Sequence, residues 1–124
     1  MAKSIQEISA LITKFADERG WTNEEPNHLL VALQIELAEL SEHYQWKNQF
    51  EEMDEEEKTA LGYEYVDVIF YLFRMAARSG IDIEKYFDQK IKKLEIKFPV
   101  GQTREERHRI RQEYRKTGKN KLYS

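Results

Sequence analysis

Cysteine is missing altogether from the 124 residues. Its absence excludes disulfides, thiolate metal sites and a cysteine nucleophile, and it fits an intracellular chain. Glycine and proline are scarce, at 5 and 2, so the chain has few breaks and suits a protein built mainly of helices. No apolar run is long enough to span a bilayer, and the opening MAKSIQEISALITKF lacks the uninterrupted apolar segment of a signal peptide. A cytoplasmic location without a membrane partner is therefore expected. Internal repeats and low-complexity tracts are absent as well. What is abundant is charge, 35 %, beside 40 % hydrophobic residues, in a length that makes one domain with a modest core.

Hydrophobic spacing divides the chain into helices. Ile5, Ile8, Leu11, Ile12 and Phe15 recur at helical intervals and stop near Gly20. Pro26 suits the first turn of a second helix, whose stripe is Leu29, Leu30, Leu33, Leu37, Leu40 and Tyr44. The pattern lapses after Trp46, and Asp54-x-x-Glu57 reads as the cap of a third helix. From Tyr65 to Ala77 that helix is apolar on more than one face, which places it centrally or against another subunit. Ile83, Phe87, Ile91, Leu94 and Phe98 trace a fourth helix ending at Pro99. The expectation is an all-α protein with a four-helix bundle core over residues 1–100. Residues 101–124 form a basic C-terminal extension, in which Thr103-x-x-Glu106 caps a short helix. This extension carries eight Lys or Arg against three Glu, a net +5, while the whole chain stands at −3. The preceding hundred residues are correspondingly acidic, so the tail suits an acidic body or a neighbouring subunit.

Two carboxylate pairs interrupt the apolar helices: Glu36-x-x-Glu39 within LLVALQIELAEL, and Glu64-x-x-Asp67 within EYVDVIFYLF. Residues three apart sit about 60° apart round a helix, so each pair points one way. Two carboxylates roughly 5 Å apart repel by about 3 kcal/mol at an effective dielectric of 20. Four converging ones need retained protons, basic neighbours or hard divalent cations. A pair on a solvated helix face is the simpler reading of either motif alone; the doubled pattern favours a metal site.

The segments FADERGW, HLLVALQIELAELSEHYQWK and EYVDVIFYLFRMAARSGID together resemble the all-α nucleoside triphosphate pyrophosphohydrolases of the MazG-like superfamily, over roughly residues 10–100. ERGW, followed by a helix that ends in Gln45, Trp46 and Lys47, is most similar to the dCTP pyrophosphatase branch. The resemblance implies that Glu36, Glu39, Glu64 and Asp67 are catalytic and hold Mg²⁺, with Mn²⁺ as a substitute. It implies attack of a water on the α phosphorus of a nucleoside triphosphate, releasing a monophosphate and pyrophosphate for control of the nucleotide pool. A bound cation would reverse the sign of an acidic pocket toward a triphosphate and acidify a water.

Trp21 and Trp46 fall where such relatives place aromatic residues of the nucleotide pocket, although a Trp near a helix end also plugs gaps. Tyr71, four residues beyond Asp67, sits over the second acid pair, where its hydroxyl meets sugar or phosphate. Lys47, Lys90, Lys93 and Lys97 are the cationic candidates for the outer phosphates, against the reading of a solvated lysine face. His28 stands where relatives often carry Asn, and Leu94 where many carry another Asn. His43 lies between Glu36 and Glu39 in angle, where a metal role is conceivable, but the related pattern carries an apolar residue there, which disfavours it; His108 is given no role. Relatives assemble as dimers or tetramers, so a homodimer or homotetramer with sites near subunit interfaces is expected.

Two other classes compete. One is a nucleic-acid-binding or non-catalytic nucleotide-binding helical protein that uses Arg104, Arg107, Arg109, Arg111, Arg115 and Lys116. The short tail, the acidic body and the absence of a groove-reading motif disfavour it. The other is a carboxylate bundle doing redox chemistry with iron or manganese, which an oxidised di-metal absorption band would reveal.

Overall fold

The computed structural model describes residues 2–101 and 103–117. It is all-α, with no strand among the described residues. The helices are α1 (Ile5–Glu18), α2 (Pro26–Glu42), α3 (Glu55–Arg78), α4 (Ile83–Lys97) and α5 (Arg104–Thr117), with a single 3₁₀ turn, Phe50–Glu52, between α2 and α3. The first three helices belong to one compact unit, which ends at Asp82; α4 and α5 belong to a second, which begins at Ile83.

Local chemistry explains the helix ends. Ser4 opens α1 with a reciprocal cap: its Oγ accepts from the Glu7 N–H at 3.1 Å, and Glu7 Oε1 accepts from the Ser4 N–H at 3.4 Å. Pro26 begins α2, where a missing N–H costs nothing. Asp54 caps α3 by accepting from the Glu57 N–H at 2.8 Å, and Thr103 caps α5 through the Glu106 N–H at 3.1 Å. Two helices end alike. Gly20, at φ 73°, and Gly80, at φ 70°, take the left-handed conformation. The following N–H groups of Trp21 and Ile81 then reach back to the Ala16 and Ala76 carbonyls, each at 2.9 Å. Any other residue would strain these two positions.

In the first unit α3 packs against α2 and, less extensively, α1. Ala16, Leu29, Leu33, Met53 and Leu61 are buried. Buried Met53 carries the linker after α2 back to the core, helped by the Lys47–Glu57 ion pair at 3.1 Å. Tyr44, in the turn after α2, and Tyr65 on α3 join their hydroxyls at 2.8 Å.

The expected stripe of α2 is only partly covered. Leu29 and Leu33 are buried and Leu40 and Tyr44 half-buried, but Leu30 and Leu37 are exposed. They lie to the sides of the line that meets α3, where a single neighbouring helix does not reach. On α3 the expected multiplicity of apolar faces is realised as exposure of Tyr65, Val66, Ile69 and Leu72. In the second unit, the Lys97 ammonium stands 5.3 Å from the Phe98 ring centroid and 5.5 Å from that of Tyr114, joining the end of α4 to α5 by cation–π attraction.

Asp54 satisfies an otherwise orphaned N–H at the start of the longest helix. Asp54→Ala is expected to lower the unfolding free energy by about 1 kcal/mol with helix content unchanged, read by urea denaturation followed by circular dichroism.

Candidate active site

The two acid pairs converge. Packing of α2 on α3 brings one carboxylate oxygen each from Glu36, Glu64 and Asp67 within 4.8 Å of one another. Glu39 completes the group, close enough to raise the pKa of both Glu36 and Glu64 by charge and hydrogen bonding. Glu36 and Glu64 are half-buried at the root, while Glu39 and Asp67 are exposed at the rim.

Burial pushes the Glu36 carboxyl up from 4.5 to about 7, and the charges of Glu39, Asp67 and Glu64 push the same way. Glu64 is raised too, first by desolvation and then by Glu39 and Asp67, with the charge of His43 opposing. His43 caps the C-terminus of α2. Two oxygens in the cluster, Glu36 Oε2 and Glu64 Oε2, are buried without a hydrogen-bond partner. Orphaned anionic oxygens are costly, and four oxygen donors with neither nitrogen nor sulfur suit a hard divalent cation. The residues present thus fit such an ion.

The aromatic candidates occupy different settings. Trp21 follows α1 and is 44 % exposed, whereas Trp46, in the turn after α2, is 84 % exposed. Trp21 meets the Phe15 ring edge-on at 5.9 Å; Phe15 meets Phe70 at 5.9 Å, and Phe70 meets Tyr71 at 5.5 Å. A continuous line of rings therefore runs from Trp21 to Tyr71, one helical turn beyond Asp67. Lys47 is held by Glu57, at 3.2 Å from Oε1 and 3.1 Å from Oε2. His28 is exposed in the first turn of α2. Lys90, Lys93 and Lys97 all lie on α4, in the second unit. The Glu-x-x-His pairs that a redox bundle would aim inward, Glu25 with His28 and Glu105 with His108, are exposed at all four positions.

Sequence reasoning missed Phe15, Phe70, Glu24 and Arg74. Phe15 and Phe70 read as ordinary core residues. Arg74 had a signal, since Glu64, Asp67, Tyr71, Arg74 and Arg78 continue one stripe of α3 at steps of three and four. Glu24 sits in a loop where no periodicity announces a partner.

An all-α fold with a four-carboxylate cluster across two packed helices defines a class of proteins, and the comparisons identify it. Residues 31–115 match the MazG-like family, and the chain belongs to that family. The chain is 34 % identical over 106 residues to dCTP pyrophosphatase 1 of Rattus norvegicus, covering 82 % of this chain and 62 % of the relative. It is 38 % identical over 85 residues to dCTP pyrophosphatase 1 of Homo sapiens, covering 64 % of this chain and 50 % of the relative. It therefore spans half to three fifths of the length of these curated relatives. A solved pyrophosphatase from Archaeoglobus fulgidus DSM 4304 superposes with a TM-score of 0.68 at 30 % identity, over 80 % of this chain and 95 % of that one. No helix among the described residues is long and apolar enough to cross a membrane.

The raised carboxyl sets a sign for pH dependence. Folding favours the protonated Glu36, so the stability tied to it is present below 4.5 and lost as pH rises through about 7. In chelator, the thermal midpoint is expected to fall between about pH 6 and pH 8. Saturating Mg²⁺ or Mn²⁺ should restore it, with the larger gain at the higher pH, because cation binding displaces the retained protons. Scanning calorimetry checks this; equal gains at both pH values would contradict the arrangement.

Proposed function

We propose that the chain is a Mg²⁺-dependent nucleoside triphosphate pyrophosphohydrolase acting on dCTP or a closely related or modified deoxynucleoside triphosphate. One observation carries the reading: Glu36, Glu64 and Asp67 offer oxygens within 4.8 Å of one another, with the Glu36 and Glu64 oxygens left orphaned. The names of the relatives support the anhydride chemistry and the choice of dCTP.

Glu36, Glu39, Glu64 and Asp67 would hold Mg²⁺, with Mn²⁺ as a substitute. When bound, the cation supplies positive charge against the triphosphate and acidifies water. The carboxylates do the rest. One of them takes the proton of the water that attacks the α phosphorus. The new phosphorus–oxygen bond forms as the bond to the bridging β oxygen breaks, and pyrophosphate leaves with that electron pair. Trp21 and Trp46 flank the base, and Tyr71 reaches sugar or phosphate from α3. Lys47 is proposed for the outer phosphates when it exchanges Glu57 for substrate. His28 is proposed to contact the nucleotide from the start of α2.

A homodimer or homotetramer is the proposed assembly. Ile35 is 53 % exposed on α2 and Val66 58 % exposed on α3, amid other bare apolar side chains that a second copy would cover. Light scattering on a sizing column should give twice or four times the chain mass of 14.9 kDa; a monomer at micromolar concentration would contradict the proposal.

Pyrophosphate release from a panel of canonical and modified triphosphates, with and without Mg²⁺, tests the activity. Release is expected to be highest with dCTP or a modified cytosine form and to vanish in chelator. Glu39→Ala and Asp67→Ala should each lower kcat at least about a hundredfold, as loss of groups that act only in the reacting complex does. Both variants should stay folded or gain stability as repulsion is relieved. Trp46→Ala should raise KM while leaving cation affinity unchanged, and equal damage to both would make Trp46 structural.

A further inference from the structure

The stripe of α3 that carries the acids continues with Tyr71, Arg74 and Arg78. Arg74 lies seven residues beyond Asp67 on the same face, about 10 Å of helix rise away. Among the described residues it is the one buried charged side chain, 5 % exposed. Burying a guanidinium is costly unless it is paired and hydrogen-bonded, and here Nη2 is engaged twice. Nη2 donates to the Trp21 carbonyl at 2.9 Å and to Glu24 Oε1 at 2.6 Å. Arg78 Nη1 braces the other Glu24 oxygen at 3.4 Å.

The loop is held from its other side as well. The Trp21 N–H donates to the Ala16 carbonyl at 2.9 Å as part of the ending of α1. Both main-chain polar groups of Trp21 are thus fixed, one by α1 and one by α3. The indole itself stays half-open and lines a cavity of about 180 Å³ together with Asp17, Thr22, Arg74 and Arg78.

We infer that Arg74, with Glu24 as its counter-ion, is a positioning residue for nucleotide binding: it sets the distance between the Trp21 loop and the acids along one face of α3. This inference rests on the proposed pyrophosphohydrolase reading. Three features support it. Packing alone does not call for a buried ion pair, because an apolar side chain of like volume serves as well or better. A single guanidinium nitrogen, Nη2, serves a loop carbonyl and a carboxylate at once, so one side chain of α3 fixes two points of the loop. The Arg74 hydrogen bond holds the Glu24 carboxyl below its ordinary range, so the pair stays charged at neutral pH.

The test is Arg74→Met, which keeps an unbranched apolar stem and removes both bonds. The expected result is a KM for dCTP raised about tenfold, from a displaced contact remote from the reacting atoms, with kcat within about twofold. In a Trp46→Phe background the Trp21 emission should shift to the red and become more accessible to acrylamide. Glu24→Gln, which leaves the bond to the Trp21 carbonyl, should give a smaller change of the same kind, and it carries the measurement if Arg74→Met does not fold. Folded variants with unchanged KM, with kcat lost at unchanged KM, or with unaltered Trp21 emission would each overturn the inference. If the unmodified protein cleaved no triphosphate, the activity reading would fall instead. The emission measurement needs no turnover, and it alone would then decide whether Arg74 holds the loop.

Discussion

The first unit is arranged around a repulsion. The apolar contact between α2 and α3 closes only if four carboxylates come together with it, and those groups resist one another and resist leaving water. Burial of Leu29, Leu33 and Leu61 drives the helices together; the raised pKa of Glu36 and the orphaned oxygens of Glu36 and Glu64 record the opposing cost. A cluster of oxygen donors under that tension suits a hard divalent cation.

Around this centre the first unit uses few devices. α3 is the common wall, meeting α2 through the carboxylates, the turn after α2 through the Tyr44–Tyr65 hydroxyl pair, α1 through the Phe15–Phe70 rings and the loop after α1 through the buried Arg74. Its single polar stripe is acidic in the middle and basic toward its C-terminus. Cations near a helix C-terminus oppose the partial negative charge there. The two signs are separated along one helix, so an anionic ligand meets a field with a direction as well as a magnitude.

Much of this was legible in the sequence because it obeys a period. The helices announced themselves through stripes such as Ile5, Ile8, Ile12 and Phe15, and through Pro26, Asp54 and Thr103 at their starts. The acid pairs stood out because carboxylates at three-residue spacing inside VALQIELAEL or YVDVIF conflict with an apolar environment. Covering of the stripes was less legible, since Leu30 and Leu37 have the same helical spacing as Leu33 but stay exposed. The bond from Arg74 to Glu24 joins residues fifty positions apart in sequence through a loop, and no local rule points from one to the other. Lys47 shows the converse: its charge was readable, but its engagement with Glu57 depends on how the linker folds back.

The way Trp21 is held has an evolutionary side. The anchors on that residue grip its amide and its carbonyl, groups that every amino acid except proline possesses, and leave the ring half in solvent. The position behaves as a socket: the side chain at 21 can be exchanged while the loop keeps its course. On the proposed role of Trp21 in nucleotide binding, ligand preference in descendants of this chain can drift by single replacements there, without the acid cluster or the helix contacts having to adjust.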